Sequence, residues 1–172
     1  MIKITAFLIS VFYTSVVTIY SFTVTTVTGT TIHLNDYQNK KIILVNIATS
    51  GTEVSQLQEL ELFYQKHKDS ILVLGFASNS FNNTSQTGVG LSTFLSSRGI
   101  TFPVVGRTEV TGSSAHPIYK WVEATNENGY TNVEVEEDFQ KILISKQGKV
   151  SGVFSSALRP GSAFIANALR VN

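Results

Sequence analysis

The segment EVEED, residues 134–138, carries the densest group of side chains that could do chemistry in this 172-residue chain. If the segment forms a strand, Glu134, Glu136 and Asp138 share one side of it. Carboxylate oxygens are the ligands that Ca²⁺ and Mg²⁺ prefer, and a metal held by Glu136, Glu137 and Asp138 would assist hydrolysis. The segment lacks the glycine-containing loop of a calcium motif, so the sequence favours a solvated acidic face over a metal site. We expect no cofactor.

A second candidate region is the loop NIATSGTE, residues 46–53, which directly follows the strand-like run KIILV. A loop between a strand and a helix N-terminus is a place where a reactive thiol is stabilised, yet the chain contains no cysteine. Disulfides, thiolate metal sites and cysteine nucleophiles are therefore excluded. Ser50 and Glu53 instead have the spacing of a capping box, in which each side chain accepts from the other residue's backbone N–H. The loop is therefore predicted to begin a helix.

Histidine and tryptophan add little further chemistry. The three histidines, His33, His67 and His116, are far apart in the sequence, which argues against a shared metal site. His116 precedes Pro117, and proline suits the first turn of a helix, so we expect His116 to mark a helix start. Trp121, the single tryptophan, falls within that helix and is expected in the core.

Composition and charge limit the classes of partner. A chain of 172 residues with 42% hydrophobic and 15% charged residues is expected to fold as one globular domain. Its formal net charge of +1 gives no bulk attraction for nucleic acid or for an anionic membrane. We expect a monomer that binds no nucleic acid and whose partner is a small molecule or a protein of unknown identity.

Hydrophobic patterns predict the elements that must position these residues. Continuous apolar runs, KKIILVNIA and ILVLGFA, indicate strands buried on both faces. The alternating run FTVTTVTGTTIHL, broken at Gly29, indicates a β-hairpin. Helices are predicted at 54–67, at 88–97, from Pro117 and at 162–169, with further strands in FPVVG and on both sides of residues 147–148. This order predicts an α/β fold, a three-layer sandwich with a mixed central sheet.

The polar stretch SNSFNNTSQTG follows the second buried strand and is predicted to be a solvent-facing loop. It contains two N-glycosylation sequons, at Asn82 and Asn83, which have meaning only in a protein secreted by a eukaryote. No internal repeat or linker interrupts the chain around it.

The first 21 residues differ from the rest of the chain. They contain Lys3 near the start, then an apolar, β-branched and hydroxylic run, then a small residue at Ser21. This pattern is typical of a signal peptide, and we expect an exported protein, periplasmic or extracellular, whose domain spans residues 22–172. An uncleaved membrane anchor is one alternative, because the run is near the ~17-residue lower limit for a membrane span. A first buried strand is the other, although strands typically run only ~5–6 residues.

Five segments, in this order, resemble the glutathione peroxidase family, a group with the thioredoxin-like fold. They are YQNKKIILVNIAT, LVLGFASNSFNN, ITFPVV, VTGSSAHPIYKWV and DFQKILISKQGKVSGVF. The Ala-His-Pro and the Tyr-Lys-Trp of the fourth segment are the most specific match. The resemblance covers nearly all of residues 22–170. It implies a thioredoxin-like three-layer α/β/α sandwich with an N-terminal β-hairpin, and a family activity in thiol-dependent reduction of peroxides.

The residues that this resemblance assigns to catalysis have all changed. The family's peroxidatic cysteine or selenocysteine falls at Gly51, its catalytic glutamine at Thr84, and its Trp-Asn pair at Glu137 and Asp138. Peroxide reduction needs a sulfur or selenium nucleophile, and two carboxylates now replace donors to its anion. We therefore expect a catalytically inactive pseudoenzyme that uses the scaffold for binding. The alternative is an enzyme with a different chemistry, such as metal-assisted hydrolysis at the acidic segment.

Overall fold

The computed structural model describes residues 17–130 and 132–170, which contain seven strands and five α-helices. The strands are β1 (Thr23–Thr25), β2 (Thr31–His33), β3 (Lys41–Ile47), β4 (Ile71–Ser78), β5 (Val104–Thr108), β6 (Lys141–Ile144) and β7 (Val150–Phe154). The helices are α1 (Gln56–His67), α2 (Gly88–Ser97), α3 (Pro117–Glu123), α4 (Thr125–Asn128) and α5 (Ala163–Arg170). Short 3₁₀ turns at Ile19–Ser21, Leu34–Tyr37 and Thr52–Ser55 complete the fold. The predicted order of elements is confirmed, apart from α4 and these turns, which the sequence patterns do not predict.

Five strands form one mixed sheet in the order β5-β4-β3-β6-β7. The central strand β3 is parallel to β4 and antiparallel to β6. Every residue of β3 and β4 is buried, as their continuous apolar runs predict for strands that are covered on both faces. Because β3 and β4 are parallel, the segments that follow these two strands meet at the same edge of the sheet.

Helices cover both faces of the sheet, which confirms the predicted three-layer α/β/α sandwich. On one face α1, α2 and α5 pack through aliphatic side chains, which include Leu57, Leu60, Leu91, Leu95 and Ile165. On the other face α3 packs together with the antiparallel hairpin of β1 and β2. This predicted N-terminal hairpin turns near Gly29, whose φ of +85° glycine adopts without steric cost.

Helix α3 begins where the sequence predicts. His116 is its N-terminal cap, and the Nδ1 atom of its ring accepts a hydrogen bond from the backbone N–H of Ile118 at 3.2 Å. Trp121 in the same helix is 2% exposed, and its indole N–H donates to the carbonyl oxygen of Val17 at 3.2 Å. Both residues therefore belong to the scaffold, with Trp121 in the core as predicted.

The domain begins earlier than the sequence patterns predict. Ile19 is fully buried in the core, and its backbone N–H donates to the carbonyl oxygen of Gly148 at 3.1 Å. The packed domain therefore includes Ile19, three residues before the predicted boundary at Phe22. Ile19 belongs to the apolar stretch that resembles a signal peptide, and its side chain packs in the core.

Residues 1–16 of the predicted signal peptide or anchor, which spans residues 1–21, lie outside the described residues, and the segment stays a prediction. Within 17–130 and 132–170, no helix is both long enough and apolar enough to cross a membrane.

Candidate functional site

The candidate site lies where β3 ends. Residues 48–51 connect β3 to the 3₁₀ turn Thr52–Ser55, which leads into α1. The backbone N–H groups of Thr49 and Ser50 donate to the carbonyl oxygen of Asn83, at 3.0 and 3.1 Å. The Ser50 hydroxyl donates to the same oxygen at 3.0 Å. The loop is therefore tied to the segment that follows β4.

The predicted capping box of Ser50 and Glu53 is wrong. The residue before the 3₁₀ turn is Gly51, and no side chain caps that turn. The Ser50 hydroxyl donates to Asn83, and the Glu53 carboxylate accepts from the side-chain amide of Gln56 at 2.6 Å. A helix does begin here, as predicted, but the 3₁₀ turn moves the start of α1 to Gln56, away from Ser50.

Gly51, the position that the resemblance assigns to the nucleophile, has a backbone conformation that disfavours every other residue. Its φ is +91° and its ψ is 176°, a region of backbone space that is essentially restricted to glycine. A Cβ atom added there would lie 3.7 Å from the side chain of Asn83, which is an ordinary van der Waals contact. The obstacle to a side chain at residue 51 is therefore the backbone geometry and not a lack of space.

Two neighbouring residues of the loop after β4 have different surroundings. Thr84, the predicted equivalent of the catalytic glutamine, is fully buried, and its hydroxyl donates to the carbonyl oxygen of Ile47 at 3.4 Å. Asn83 instead lies next to Gly51, and its Nδ2 donates to Oδ2 of Asp138 at 2.8 Å. Asn83, which the sequence marks only as part of a sequon, is thus the site residue of this loop. The prediction that the whole loop faces solvent is wrong.

Glu137 and Asp138 approach from the segment before β6. The carboxylate of Glu137 accepts from the backbone N–H and from the hydroxyl of Ser156, both at 2.7 Å. Asp138 is partly buried beside Asn83. Burial raises the pKa of its carboxyl group, and the hydrogen bond from Asn83 opposes that rise. The carboxylate of Glu137 therefore bonds to Ser156. The carboxylate of Asp138 bonds to Asn83, which links it to the loop of Gly51.

These residues line an open cleft of about 260 Å³. The structure brings together three of the four positions that the resemblance assigns to catalysis, Gly51, Glu137 and Asp138, and adds Asn83 to them. Thr84 is buried outside the cleft. Position in the sequence alone does not distinguish Asn83 from Thr84, since the difference depends on the path of the loop.

The acidic segment does not form the strand that would align its carboxylates. The backbone of Glu134 and of Glu136 bonds to the side chain of Gln140 instead of a neighbouring strand. Among residues 17–130 and 132–170, no three Asp, Glu or His side chains come together in a way that could hold a metal ion. The arrangement of Glu134, Glu136, Glu137 and Asp138 thus gives no support to metal-assisted hydrolysis.

A buried lysine holds one wall of the cleft in place. Lys141 is 1% exposed, and its ammonium group donates to Oε1 of Gln56 at 2.6 Å and to the carbonyl oxygens of Ser156 and Leu158 at 3.3 and 2.8 Å. Burial lowers the pKa of this group to about 8. Lys141 thereby fixes the segment after β7 against α1, and with it Ser156, the partner of Glu137.

Comparison with known proteins gives the family. The family model described as glutathione peroxidase matches residues 19–123. The chain belongs to the glutathione peroxidase family. Over 151 residues it is 31% identical to the hydroperoxy fatty acid reductase gpx1 of Synechocystis sp., which covers 83% of this chain and 89% of that relative. Over 146 residues it is 29% identical to the glutathione peroxidase-like peroxiredoxin GPX5 of Chlamydomonas reinhardtii. This alignment covers 83% of this chain and 90% of that relative.

Solved structures agree with the fold. The crystal structure of Trgpx in apo form matches with a TM-score of 0.68 and 30% identity, over 91% of this chain and 97% of that chain. A thiol:disulfide interchange protein of the thioredoxin family from Chlorobium tepidum matches with a TM-score of 0.63 at 18% identity. The match covers 87% of this chain and 90% of that chain. This second likeness shows the fold alone. The family and the thioredoxin-like fold class that the sequence predicts are both confirmed.

Replacing Gly51 by alanine tests the backbone restriction at the site. We expect Gly51→Ala to lower the free energy of unfolding by about 1–3 kcal/mol, because an L residue is strained at a positive φ. The matched control is Gly90→Ala in α2, where the added Cβ meets nothing within 4 Å and φ is not positive. That change should be neutral, or stabilising by up to about 1 kcal/mol. Denaturant titrations measure both effects, and equal effects would show that residue 51 tolerates a side chain.

The lowered pKa of Lys141 predicts that stability rises at alkaline pH. The unfolded chain protonates this lysine near pH ~10.4, whereas the folded protein does so only near pH 8. Protonation therefore favours unfolding, and the penalty diminishes as the pH rises between these two values. Relative to Lys141→Met, the unaltered protein should gain on the order of 2 kcal/mol in free energy of unfolding between about pH 8 and 10. Denaturant titrations at several pH values measure this gain. A free energy of unfolding that changes equally with pH in the two proteins would contradict the expectation.

Proposed function

We propose that this member of the glutathione peroxidase family has lost peroxidase activity and acts as a binding protein through the cleft around Gly51. The observation that carries the proposal is the φ of +91° at Gly51, the position that the resemblance assigns to the nucleophile, because a cysteine there would be strained. A single substitution at residue 51 would supply a sulfur but would leave the loop in a conformation that a side chain disfavours.

The other groups of the cleft do not replace the missing sulfur. Peroxide reduction requires a nucleophile that attacks the O–O bond and is itself oxidised, as a thiolate is oxidised to a sulfenic acid. Ser50 is adjacent, but a hydroxyl has no comparable oxidised state, and this one already donates to Asn83. No cysteine is present at any of the 172 positions.

The charge of the cleft supports the same proposal. A catalytic thiolate is stabilised by hydrogen-bond donors and by nearby positive charge. Here Glu136 and Asp138 bring carboxylates to the cleft, and the amide of Asn83 is directed at Asp138. Such a cleft disfavours an anion. It suits a ligand that donates hydrogen bonds or carries a positive charge.

The size of the cleft limits the ligands that fit it. Its volume of about 260 Å³ falls below the ~300–1,000 Å³ that is typical of sites for drug-sized molecules. A small polar molecule, or a side chain presented by a protein partner, is of the appropriate size. The cleft is open to solvent at Ser50 and Gly51, so a partner surface can reach it.

We also propose that the protein is exported. The support is the sequence of residues 1–16, in which Lys3 precedes an apolar run of the kind found in secretory signals. The burial of Ile19 requires that any cleavage leaves this residue in the mature protein. The carbonyl oxygen of Val17 also accepts from the indole N–H of Trp121, so a removed segment would end before Val17.

The mass of the mature N-terminal peptide tests export. We expect the first residue to lie at or before Val17, because cleavage near Ser21 would remove Ile19 from the core. Recovery of an intact Met1 form from the soluble cytosol would contradict export. An intact form in the membrane fraction would instead indicate an uncleaved anchor.

A peroxidase assay tests the loss of activity. The purified protein should reduce neither hydrogen peroxide nor lipid hydroperoxides, with glutathione or with thioredoxin as the electron donor, because it offers no sulfur to oxidise. Consumption of NADPH in a coupled assay measures turnover against a buffer blank, and an active member of the family serves as the positive control. Turnover that co-purifies with the protein through orthogonal columns would overturn the proposal.

A further inference from the structure

A second concave surface lies between the C-terminal halves of α1 and α5. We call it the α1–α5 groove; it has a volume of about 650 Å³, and the first residue of β4, Ile71, also lines it. This volume falls within the ~300–1,000 Å³ that is typical of small-molecule sites. The groove is therefore large enough to hold a ligand that the cleft around Gly51 is too small to hold.

The α1–α5 groove is separate from the cleft around Gly51. Lys41, which lines the groove, is the first residue of β3, whereas Gly51 follows the last residue of that strand. Seven residues of β3 separate the two ends, which corresponds to about 20 Å of extended chain. None of residues 17–130 and 132–170 lines both cavities. A ligand in the groove would therefore occupy a site independent of the proposed function.

The groove carries a continuous apolar surface. Phe63 and Ile71 are each 7% exposed and lie at its base, and Leu169 of α5 lines the opposite wall. Leu62 of α1 lies at its edge and is 72% exposed, which extends this apolar surface to the solvent. An apolar ligand chain lying in the groove would remove Leu62 from water.

The charges around the groove are predominantly positive. Lys41 donates to the carbonyl oxygens of Ala168 and Leu169, so its positive charge stabilises the C-terminal end of α5. Lys66, Lys146 and Arg170 also line the groove, and all three are exposed. Among the described residues that line the groove, only Glu59 is acidic, and it accepts from Arg159 at 3.2 Å, which offsets its charge.

We propose that the α1–α5 groove binds a single-chain amphipathic carboxylate of the fatty-acid class. The acyl chain lies on Phe63, Ile71 and Leu62, and the carboxylate meets the positive charges of Lys66 and Lys146. A polyanion without a chain would leave Leu62 exposed to water. A neutral lipid would bring no negative charge to Lys66 and Lys146. Only a ligand that has both parts complements both surfaces.

Calorimetric titration with dodecanoate, below the concentration at which it forms micelles, tests the proposal. We expect saturable binding of one molecule per chain. Hexanoate, which has the same head group and a shorter chain, should bind at least about tenfold more weakly. Dodecyltrimethylammonium, which has the same chain and the opposite charge, should also bind at least about tenfold more weakly.

Two variants and a control assign the binding to the groove. Leu62→Glu and Lys146→Glu change exposed positions on different walls, and each should weaken dodecanoate binding at least about tenfold. Val89→Glu is the control, since Val89 is 83% exposed on α2 and does not line the groove; its affinity should match that of the unaltered protein. Each variant is checked for an unchanged melting temperature.

Several outcomes would overturn the proposal. Absence of saturable dodecanoate binding would do so, and so would equal losses of affinity in Leu62→Glu and Val89→Glu. Binding to vesicles of anionic phospholipid that exceeds binding of monomeric dodecanoate would make the groove a membrane contact instead. Dimerisation that Leu62→Glu abolishes, measured by light scattering, would assign the groove to a second copy of the chain.

Discussion

The carbonyl oxygen of Asn83 accepts hydrogen bonds from the backbone of Thr49 and from the backbone and hydroxyl of Ser50, and the loop that ends at Gly51 depends on this contact. The contact joins the chain after β3 to the chain after β4, and residue 51 then turns through a conformation that only glycine adopts freely. The amide of the same asparagine lies beside Gly51 and donates to Asp138. Asn83 therefore joins three of the segments that line the cleft.

The positions that the family resemblance assigns to catalysis now have hydrogen-bond partners of their own. Glu137 accepts from Ser156 at 2.7 Å, Asp138 accepts from Asn83 at 2.8 Å, and Thr84 donates to Ile47 at 3.4 Å. A site that had lost only its nucleophile would keep donors directed at an empty position. Here Glu137, Asp138 and Thr84 each bond to a neighbouring segment, so these residues contribute to the stability of the loop region.

The sequence predicts the scaffold of this protein better than it predicts the site. The apolar runs of β3 and β4 and the proline at the start of α3 are local signals, and each element lies where its signal indicates. The site depends on contacts between distant segments. Asn83 and Thr84 are neighbours in the chain, yet only the path of their loop places one in the cleft and the other in the interior. Ser156 meets Glu137 only because β6 and β7 pair, which no spacing within either segment reveals.

The reaction of a cysteine placed at residue 51 with hydrogen peroxide tests the central claim most directly. In Gly51→Cys, the loss of free thiol can be followed by stopped-flow at a series of pH values, with circular dichroism to establish that the variant is folded. If the site has been remodelled, the thiol should titrate at or above the ~8.5 of free cysteine, because Asp138 lies nearby and the amide of Asn83 already donates to it. Its rate with peroxide should then be no faster than that of free cysteine. A thiol that titrates well below this value and reacts orders of magnitude faster would contradict the account, because it would show that the loop and its neighbours still stabilise a peroxidatic thiolate.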